Sequence, residues 1–467
     1  MFNNLANILE RPKMVRFKQL FKSYIDSDFY IITVMAAAVL NWKLQTMAVI
    51  LTVGLIHFLL ILLFDINRIR FIPLVAAAII SLRLENIPDY LWPAVGASII
   101  VFPLLVYDLY RKKVNYNNKI FVGMVFLLIA MGFSFVNAPD FITPLMGFAM
   151  MFFYTFLFLY FFNKVTEKET LEENRQYLAR SLNYMVLAIF VEVLLFMIET
   201  KAFADLADFV SDKNIKLGWA ITNFIAMILL MIIPLSVYYY IKNQKKHYLL
   251  LFVLIELALL FLMMSRGAYL AILITAIPFV VKFTSDIKDK VLFTKIFLIS
   301  FAVVLLITLT ILIPKEIVKN YFAALDKRGI SLTGRQILYK IGIIVFKQYP
   351  LFGGGVYTSQ FYISRVSESV YYHNYLIQTL ATIGIIGLAA FLYYLYQILR
   401  GVTRRHDYNI YVFFIVLNMM VHGLFDTTFY NPLVMVMFSC ILPLLSMENN
   451  NHAPLPLAQK EKNNVCS

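Results

Sequence analysis

WAITNFIAMILLMIIPLSVYYYI, residues 219–241, contains no Asp, Glu, Lys or Arg. A helix of about 20 such residues is long enough to cross the hydrocarbon core of a bilayer. Similar runs recur along the whole chain, which is 61% hydrophobic and 15% charged, with a mean hydropathy of +0.76. Soluble domains average about 25% charged residues. The sequence therefore predicts an all-α fold, a polytopic membrane helix bundle with no separate soluble domain.

Apolar runs on either side of this segment predict about fourteen membrane spans. Two of them, 28–42 and 69–82, are short enough to be interfacial, which leaves about 12 to 14 crossings. Gly384 and Gly387 interrupt the twelfth run, where we expect a break or kink. The predicted spans lie near 28–42, 47–64, 69–82, 91–107, 120–136, 143–163, 181–199, 219–241, 248–264, 267–282, 295–314, 373–400, 410–427 and 431–447.

The distribution of lysine and arginine predicts the orientation of the bundle, because cytoplasmic loops carry an excess of both. With residue 1 inside, clusters such as Arg111–Lys113 and Arg400–Arg405 fall on the inner side. We therefore expect both termini to be cytoplasmic and one large loop, 315–372, to face outward. The predicted divisions are a cytoplasmic N-terminal segment 1–27, N-terminal transmembrane helices 28–210, a membrane domain 211–447 that contains the outer loop, and a cytoplasmic tail 448–467.

The formal net charge of +14 does not indicate nucleic-acid binding, because the basic residues are spread over short loops rather than gathered in one patch. Two cysteines, Cys440 and Cys466, provide neither a disulfide framework nor a metal-ligand set. The acidic group Asp205, Asp208 and Asp212 is typical of a solvated helical face. We expect no metal, no cofactor and no nucleic-acid partner.

The outer loop carries the first candidate site. Its segment TGRQILYKIGIIVFKQYP (333–350) predicts an amphipathic helix that starts near Arg335 and ends at the proline. Arg335 can bind an anion, and the run Gly353, Gly354 and Gly355 can aim N–H groups at one. A neutral His373, where the chain re-enters the membrane, can accept a proton from a hydroxyl. The plain alternatives are a flexible glycine turn and an interfacial histidine.

Two further basic residues lie on the predicted outer face. Arg266, in SRGAY (265–269), can form bidentate hydrogen bonds to phosphate. Positive charge on the outer side opposes the usual bias, so we favour an anionic partner over a snorkelling arginine. Lys216 adds charge on the same face, with an ordinary solvated loop as the alternative.

Three acids, Glu192, Glu256 and Asp426, fall inside predicted spans. A charge at the centre of a span costs about 2.5–3.5 kcal/mol on insertion scales, so each acid should face the bundle, be protonated or have a partner. For Asp426 the predicted partner is His422, four residues earlier on the same helix face. We favour a structural pairing of these two residues over a proton relay.

Basic groups with one histidine at the outer surface suit a lipid diphosphate donor and a sugar acceptor. The cations would stabilise the leaving diphosphate, and the histidine would deprotonate the attacking hydroxyl. Over residues 210–445 the chain resembles the O-antigen ligase and O-antigen polymerase family of bacterial membrane glycosyltransferases. The segments that carry the resemblance are SRGAY (265–269), TGR (333–335), YPLFGGGVY (349–357) and HNYLIQTLATIGIIGL (373–388).

The resemblance implies that Arg266 and Arg335 bind an undecaprenyl-diphosphate donor, that His373 is the acid/base residue, and that transfer is metal-independent and inverting. Lys216 would take the place of a further basic residue, as a point charge rather than a planar fork. The implied location is the bacterial cytoplasmic (inner) membrane, as a multi-pass protein. The implied partners are an undecaprenyl-diphosphate-linked oligosaccharide, an acceptor glycan or glycolipid, the lipid bilayer, a flippase and a chain-length regulator.

The motifs do not separate the two activities of this family. We favour a repeat-unit polymerase, because ligation requires one specialised acceptor; the alternative is an O-antigen ligase that joins glycan to lipid A-core. A polysaccharide flippase or other transporter is the alternative of another class, and it would use the buried acids but leave the long loop unexplained. A peptidoglycan-type polymerase would instead predict an essential loop carboxylate such as Asp326.

Overall fold

The computed structural model describes residues 12–81, 87–205, 209, 214–288, 290–291, 333–364, 366–367 and 369–446. Within these residues the chain is helical, with one isolated antiparallel bridge between Lys216 and Ile221. The predicted all-α membrane bundle is therefore confirmed. The described α-helices are α1 (Pro12–Asp26), α2 (Asp28–Leu44), α3 (Ala48–Leu63), α4 (Ile72–Ser81), α5 (Ile87–Tyr110), α6 (Lys119–Phe133), α7 (Ile142–Lys164), α8 (Leu171–Glu199), α9 (Thr222–Lys242), α10 (Leu250–Leu262), α11 (Arg266–Asp286), α12 (Thr333–Gln348), α13 (Ser359–Ile363), α14 (Tyr375–Val402), α15 (Asp407–Gly423) and α16 (Pro432–Ile441).

Thirteen of the fourteen predicted spans coincide with described helices. Outside the described residues lie the span near 295–314, part of the outer loop (315–332), Asp208, Asp212, Asp326 and the tail 448–467. In the described part of the chain, six helices (α6 to α9, α11 and α14) are long and apolar enough to cross a membrane, and α1 with α2 would add a seventh, bent by 71°. This number is smaller than the predicted one for three reasons: α3, part of α5, α10 and α16 are shorter apolar helices, α4 and α15 have only 10 and 17 residues, and the span near 295–314 lies outside the described residues.

Helix α9 occupies the centre of the bundle. Of its apolar window 89% is buried, and it packs against α8, α10, α11 and α15. A helix that is apolar on all sides needs such a central position. By contrast, only 17% of the α11 window is buried, and side chains such as Leu273 and Ile277 are exposed on its outer face. We read that face as lipid-facing.

The helices of the second half run between two chemically different ends. Helices α9, α11 and α14 begin at the end where α15 finishes. At the opposite end Lys242 Nζ lies 2.9 Å from Asp407 Oδ2, and Lys282 Nζ lies 2.7 Å from Asp286 Oδ1. Tyr411 also donates to Asp286, at 2.9 Å. An ion pair and a hydrogen bond therefore link the helices at one end, while the candidate site residues lie at the other end.

The predicted kink in α14 is confirmed at Gly384, where φ is +68° and ψ is −164°. The glycine run of the outer loop packs into this break. Gly354 N donates to Ala381 O at 2.8 Å, Gly355 N donates to Thr382 O at 3.0 Å, and Ile385 N donates to Pro350 O at 2.9 Å. Backbone groups that the break frees must be paired inside a membrane bundle, and the loop supplies their partners.

Candidate active site

His373 stands on an unusual backbone immediately before α14. Its φ is +52°, in the left-handed region that non-glycine residues seldom occupy and that is found preferentially at functional sites. The next residue, Asn374, caps α14 by accepting from the N–H groups of Leu376 and Ile377. Tyr339 of α12 donates to the carbonyl of His373 at 3.2 Å. The end of the outer loop is thus fixed on both sides, and the imidazole is 29% exposed.

Asp426 is the hydrogen-bond partner of this imidazole. Its Oδ1 lies 3.3 Å from His373 Nδ1, and the carboxylate also accepts from Thr427 N at 2.8 Å and from Asn223 Nδ2 at 3.2 Å. The side chain is only 3% exposed. Burial alone would raise the pKa of Asp426, but the hydrogen bond and charge of His373, the charge of His422 and the Thr427 N–H together lower it to about 2. Asp426 is therefore a carboxylate at any physiological pH.

Beside Asp426 is a small cleft that both predicted arginines line. Arg266 lies at the start of α11, and Arg335 lies in the first turn of α12. Residues 287–332 connect these two helices in the sequence. Helix α12 lies close to α14 because Gly342 faces Ile377 and Tyr372, where a Cβ would come within 2.5 Å of Ile377 Cγ2. The described residues that line the cleft are Asn223, Ser265, Arg266, Gly267, Arg335, His422, Phe425 and Asp426.

The cleft has the charge distribution of an anion site. Two arginines line it, and the start of an α-helix adds the partial positive charge of its N-terminus. Asp426, the carboxylate at its wall, is held by His373, Asn223 and Thr427. A diphosphate could therefore bind the arginines at one side of Asp426 while His373 acts at the other side.

Asp426 is the main site residue whose role differs from the sequence prediction. We expected a pairing with His422, but α15 ends at Gly423, so residues 424–426 leave the helical path that would align the two side chains. His422 Nδ1 instead lies 3.0 Å from Thr428 Oγ1, and His422 acts on Asp426 through its charge. The other two acids face the bundle as predicted: Glu192 accepts from Trp219 Nε1 at 2.8 Å, and Glu256 accepts from Ser236 Oγ.

The glycine run requires a correction. Gly353, Gly354 and Gly355 are buried, and each N–H donates to a main-chain carbonyl, of Tyr349, Ala381 and Thr382 respectively. These N–H groups are therefore engaged within the protein and not directed at an anion. A Cβ at Gly353 would lie 2.3 Å from the carbonyl carbon of Thr382. The run is glycine because the loop must enter the break in α14, not because a ligand approaches.

Lys216 lies apart from these residues. It is exposed, and it pairs with Ile221 in the short bridge that precedes α9. It is not among the described residues that line the cleft. Asn223, two residues beyond Ile221, does reach the cleft and holds Asp426. An asparagine in the first turn of an otherwise apolar span was the sequence signal that could have indicated this contact.

Residues 249–392 match the family model described as O-antigen ligase. This stretch is similar to the O-antigen ligase family. The resemblance seen in the sequence is thereby confirmed, and the matched residues include Arg266, Arg335 and His373. No curated protein matches the chain. Together with the apolar helices, the match supports a multi-pass membrane glycosyltransferase of the O-antigen ligase and polymerase type. Asn223, His422 and Asp426 lie outside the matched residues but within the same site.

Proposed function

We propose that the protein transfers glycan from undecaprenyl diphosphate to a sugar hydroxyl, with His373 as the general base and Arg266 and Arg335 as the diphosphate-binding residues. The single observation that carries this proposal is the position of Asp426, which holds the imidazole of His373 and forms a wall of the cleft that both arginines line. A base and a pair of cations on two sides of one buried carboxylate suit a reaction in which a proton and a diphosphate leave in different directions.

The chemistry follows from this arrangement. The acceptor hydroxyl gives its proton to His373 Nε2 as its oxygen forms a bond to the anomeric carbon of the donor sugar. The bond from that carbon to the diphosphate oxygen breaks, and its electron pair remains on the diphosphate, where the arginines stabilise the charge. Asp426 holds the Nδ1–H and stabilises the imidazolium that forms. Direct displacement of this kind inverts the anomeric carbon.

Metal independence is part of the proposal. Two guanidinium groups provide fixed charge for a diphosphate, which is the task a divalent cation performs in many phosphate-handling enzymes. The activity should therefore persist in a chelator. Loss of transfer in EDTA and its return with Mg²⁺ or Mn²⁺ would contradict this part of the mechanism.

The site is proposed to open on the outer face of the cytoplasmic membrane. The helices that begin at the site end near Lys242, Asp286 and Arg404, and the basic clusters of the sequence lie at that second end. Positive residues favour the cytoplasmic side. The same distribution of positive residues favours a cytoplasmic location for both termini. A site on the outer face would have access to lipid-linked glycan that a flippase has delivered.

For the acceptor we propose a second lipid-linked repeat unit, which makes the protein a polymerase acting with a chain-length regulator. Polymerisation uses one substrate class for both donor and acceptor, whereas ligation requires a specialised lipid A-core. An O-antigen ligase would use the same base and the same arginines, so the acceptor is what distinguishes the two.

The decisive experiment is reconstitution of the full chain in liposomes with the lipid-diphosphate-linked repeat unit extracted from the producing cells. A ladder of chain lengths is expected from a polymerase, and transfer only after addition of lipid A-core would identify a ligase. His373→Ala should lower turnover by about 10²–10⁴-fold, the usual contribution of general-base catalysis. Arg335→Ala should weaken use of the donor.

Two matched controls keep these losses specific. His247, at the opposite end of the bundle beside Tyr240, controls for removal of an imidazole, and the exposed Lys347 controls for removal of a cation from α12. Both alanine variants should retain normal turnover. If His373→Ala and Arg335→Ala each give product of wild-type length and amount, the enzymatic role of this site is refuted. The transporter hypothesis would then be favoured.

A further inference from the structure

We infer that Ser369 occupies the place of the acceptor hydroxyl in the resting enzyme and makes the protein a transferase rather than a hydrolase. The inference rests on the proposed function, because it assigns His373 as the base. Ser369 Oγ lies 2.9 Å from His373 Nε2, the nitrogen on the side opposite Asp426. A hydroxyl already stands where the mechanism requires the acceptor hydroxyl to stand.

With His373 neutral, as a general base must be, Ser369 cannot satisfy both of its neighbours as long as no acceptor is bound. With its Nδ1–H directed to Asp426, a neutral His373 presents a lone pair at Nε2, which needs a donor. Ser369 Oγ is the neighbouring hydroxyl, but it also lies 2.9 Å from the carbonyl oxygen of Tyr371. A serine has one hydroxyl proton. It can therefore satisfy either Nε2 or the Tyr371 carbonyl, and one of them is left short of a donor.

An acceptor sugar resolves this conflict. When its hydroxyl donates to Nε2, Ser369 can give its proton fully to the Tyr371 carbonyl, and every polar group has a partner. Little packing opposes a small displacement of the Ser369 side chain, since Ser369 is only partly buried and Val366 and Val370 are exposed. Ser369 is thus a specificity-determining residue of the acceptor subsite, not a nucleophile.

Exclusion of water is the functional consequence. In hydrolysis a water molecule would give one proton to Nε2, its oxygen would form the bond to the anomeric carbon, and the diphosphate would leave with the electron pair. The products would be a free reducing glycan and undecaprenyl diphosphate. Ser369 occupies the position at Nε2 that this water would need. A sugar acceptor, which gains further contacts, can displace the serine, whereas a single water molecule gains none.

The test uses the full-length protein in liposomes and a lipid-linked repeat unit whose acceptor hydroxyl has been methylated, so that water is the remaining acceptor. Ser369→Ala should raise release of free glycan by about threefold to tenfold, the factor that corresponds to one neutral hydrogen bond. With an unmethylated acceptor, the same variant should lower the KM for the acceptor by a similar factor. The KM for the donor should not change.

Two variants serve as controls. Ser369→Thr keeps the hydroxyl and should behave as the wild type, while Ser364→Ala removes an exposed serine of the same loop that contacts only the Phe361 carbonyl among its described partners. Ser369→Cys, of nearly the same size and a weak donor, carries the test if the alanine variant does not fold.

The outcomes separate this inference from the proposed function. Loss of transfer in Ser369→Ala, or labelling of Ser369 by a fluorophosphonate, would show that the serine takes part in the chemistry and would overturn the inference. Unchanged hydrolysis and an unchanged KM for the acceptor in Ser369→Ala would show that the serine does not compete with water or the acceptor for His373 Nε2, and would also overturn the inference. In either case transfer by the wild type would leave the proposed function standing, whereas an inactive wild type would refute the proposed function itself.

Discussion

Replacement of Asp426 by asparagine tests the proposed base most directly. The substitution keeps the volume and a carbonyl oxygen, but it removes the negative charge beside His373 Nδ1. An amide can also present an N–H₂ group to the ring, which would favour the tautomer with its proton on Nε2. In that tautomer Nε2 cannot accept a proton from the acceptor. Turnover should therefore fall, although the protein still folds and still binds its donor.

The pKa of Asp426 indicates how large the loss of turnover should be. The surroundings lower the pKa of Asp426 from 3.8 to about 2, even though burial opposes this change. That difference corresponds to roughly 2 kcal/mol in favour of the ionised group, and His373 is the partner that contributes most. Loss of the negative charge beside the imidazolium that forms in the transition state should lower turnover by about tenfold to a hundredfold.

The assay is transfer in liposomes at several pH values, with turnover expressed per folded enzyme. Because the pKa of Asp426 is lowered, the carboxylate stays charged from neutral pH down to about pH 2, so acidification in the working range does not mimic the substitution. Asp286→Asn is a matched control, since that carboxylate accepts from Tyr411 at the other end of the bundle. Turnover of Asp426→Asn within twofold of the wild type would refute the reasoning.

Two further predictions concern the fold and the orientation. Gly353→Ala should prevent folding or lower the melting temperature by several degrees, because φ is +71° and the added Cβ would meet the Thr382 backbone, whereas Gly54→Ala has open space and should be tolerated; thermal unfolding in detergent measures both. Lys340→Cys, in a chain with Cys440 and Cys466 replaced by serine, should react with a membrane-impermeant maleimide on intact cells. Labelling of Lys340→Cys only after permeabilisation would refute an outward-facing loop.

The sequence was sufficient for features that depend on local periodicity. Thirteen apolar runs became helices, the amphipathic segment after Arg335 became α12, and α14 is broken at Gly384. Each of these follows from residues close together in the chain. The lengths were less predictable: α4 and α16 have ten residues each, because neighbouring helices and not the apolar runs decide where a helix ends.

The charged residues of the site could be predicted from the sequence, but the contacts between them could not. Arg266, Arg335 and His373 could be selected by residue type and predicted topology. The contact between His373 and Asp426 joins residues 53 apart, and it depends on how α15 ends and α14 begins. The role of Gly353–Gly355 could not be predicted either, because the carbonyls that receive their N–H groups become available only when α14 breaks. A spacing rule such as His422 to Asp426 fails wherever the helix stops between the two residues.

These contacts also show that the proposed site extends beyond residues 249–392, which match the O-antigen ligase model. Asn223 and Asp426, which would position the proposed base, lie on either side of the matched residues in sequence. Asn137 donates to Gly353 O at 3.1 Å, and Ser134 accepts from Val356 N at 3.1 Å, so the end of α6 holds the loop that enters α14. His373 therefore depends on a chain of contacts from α6 through the loop and α14 to the imidazole. The proposed base thus depends for its position on contacts that residues of the N-terminal half make with the loop.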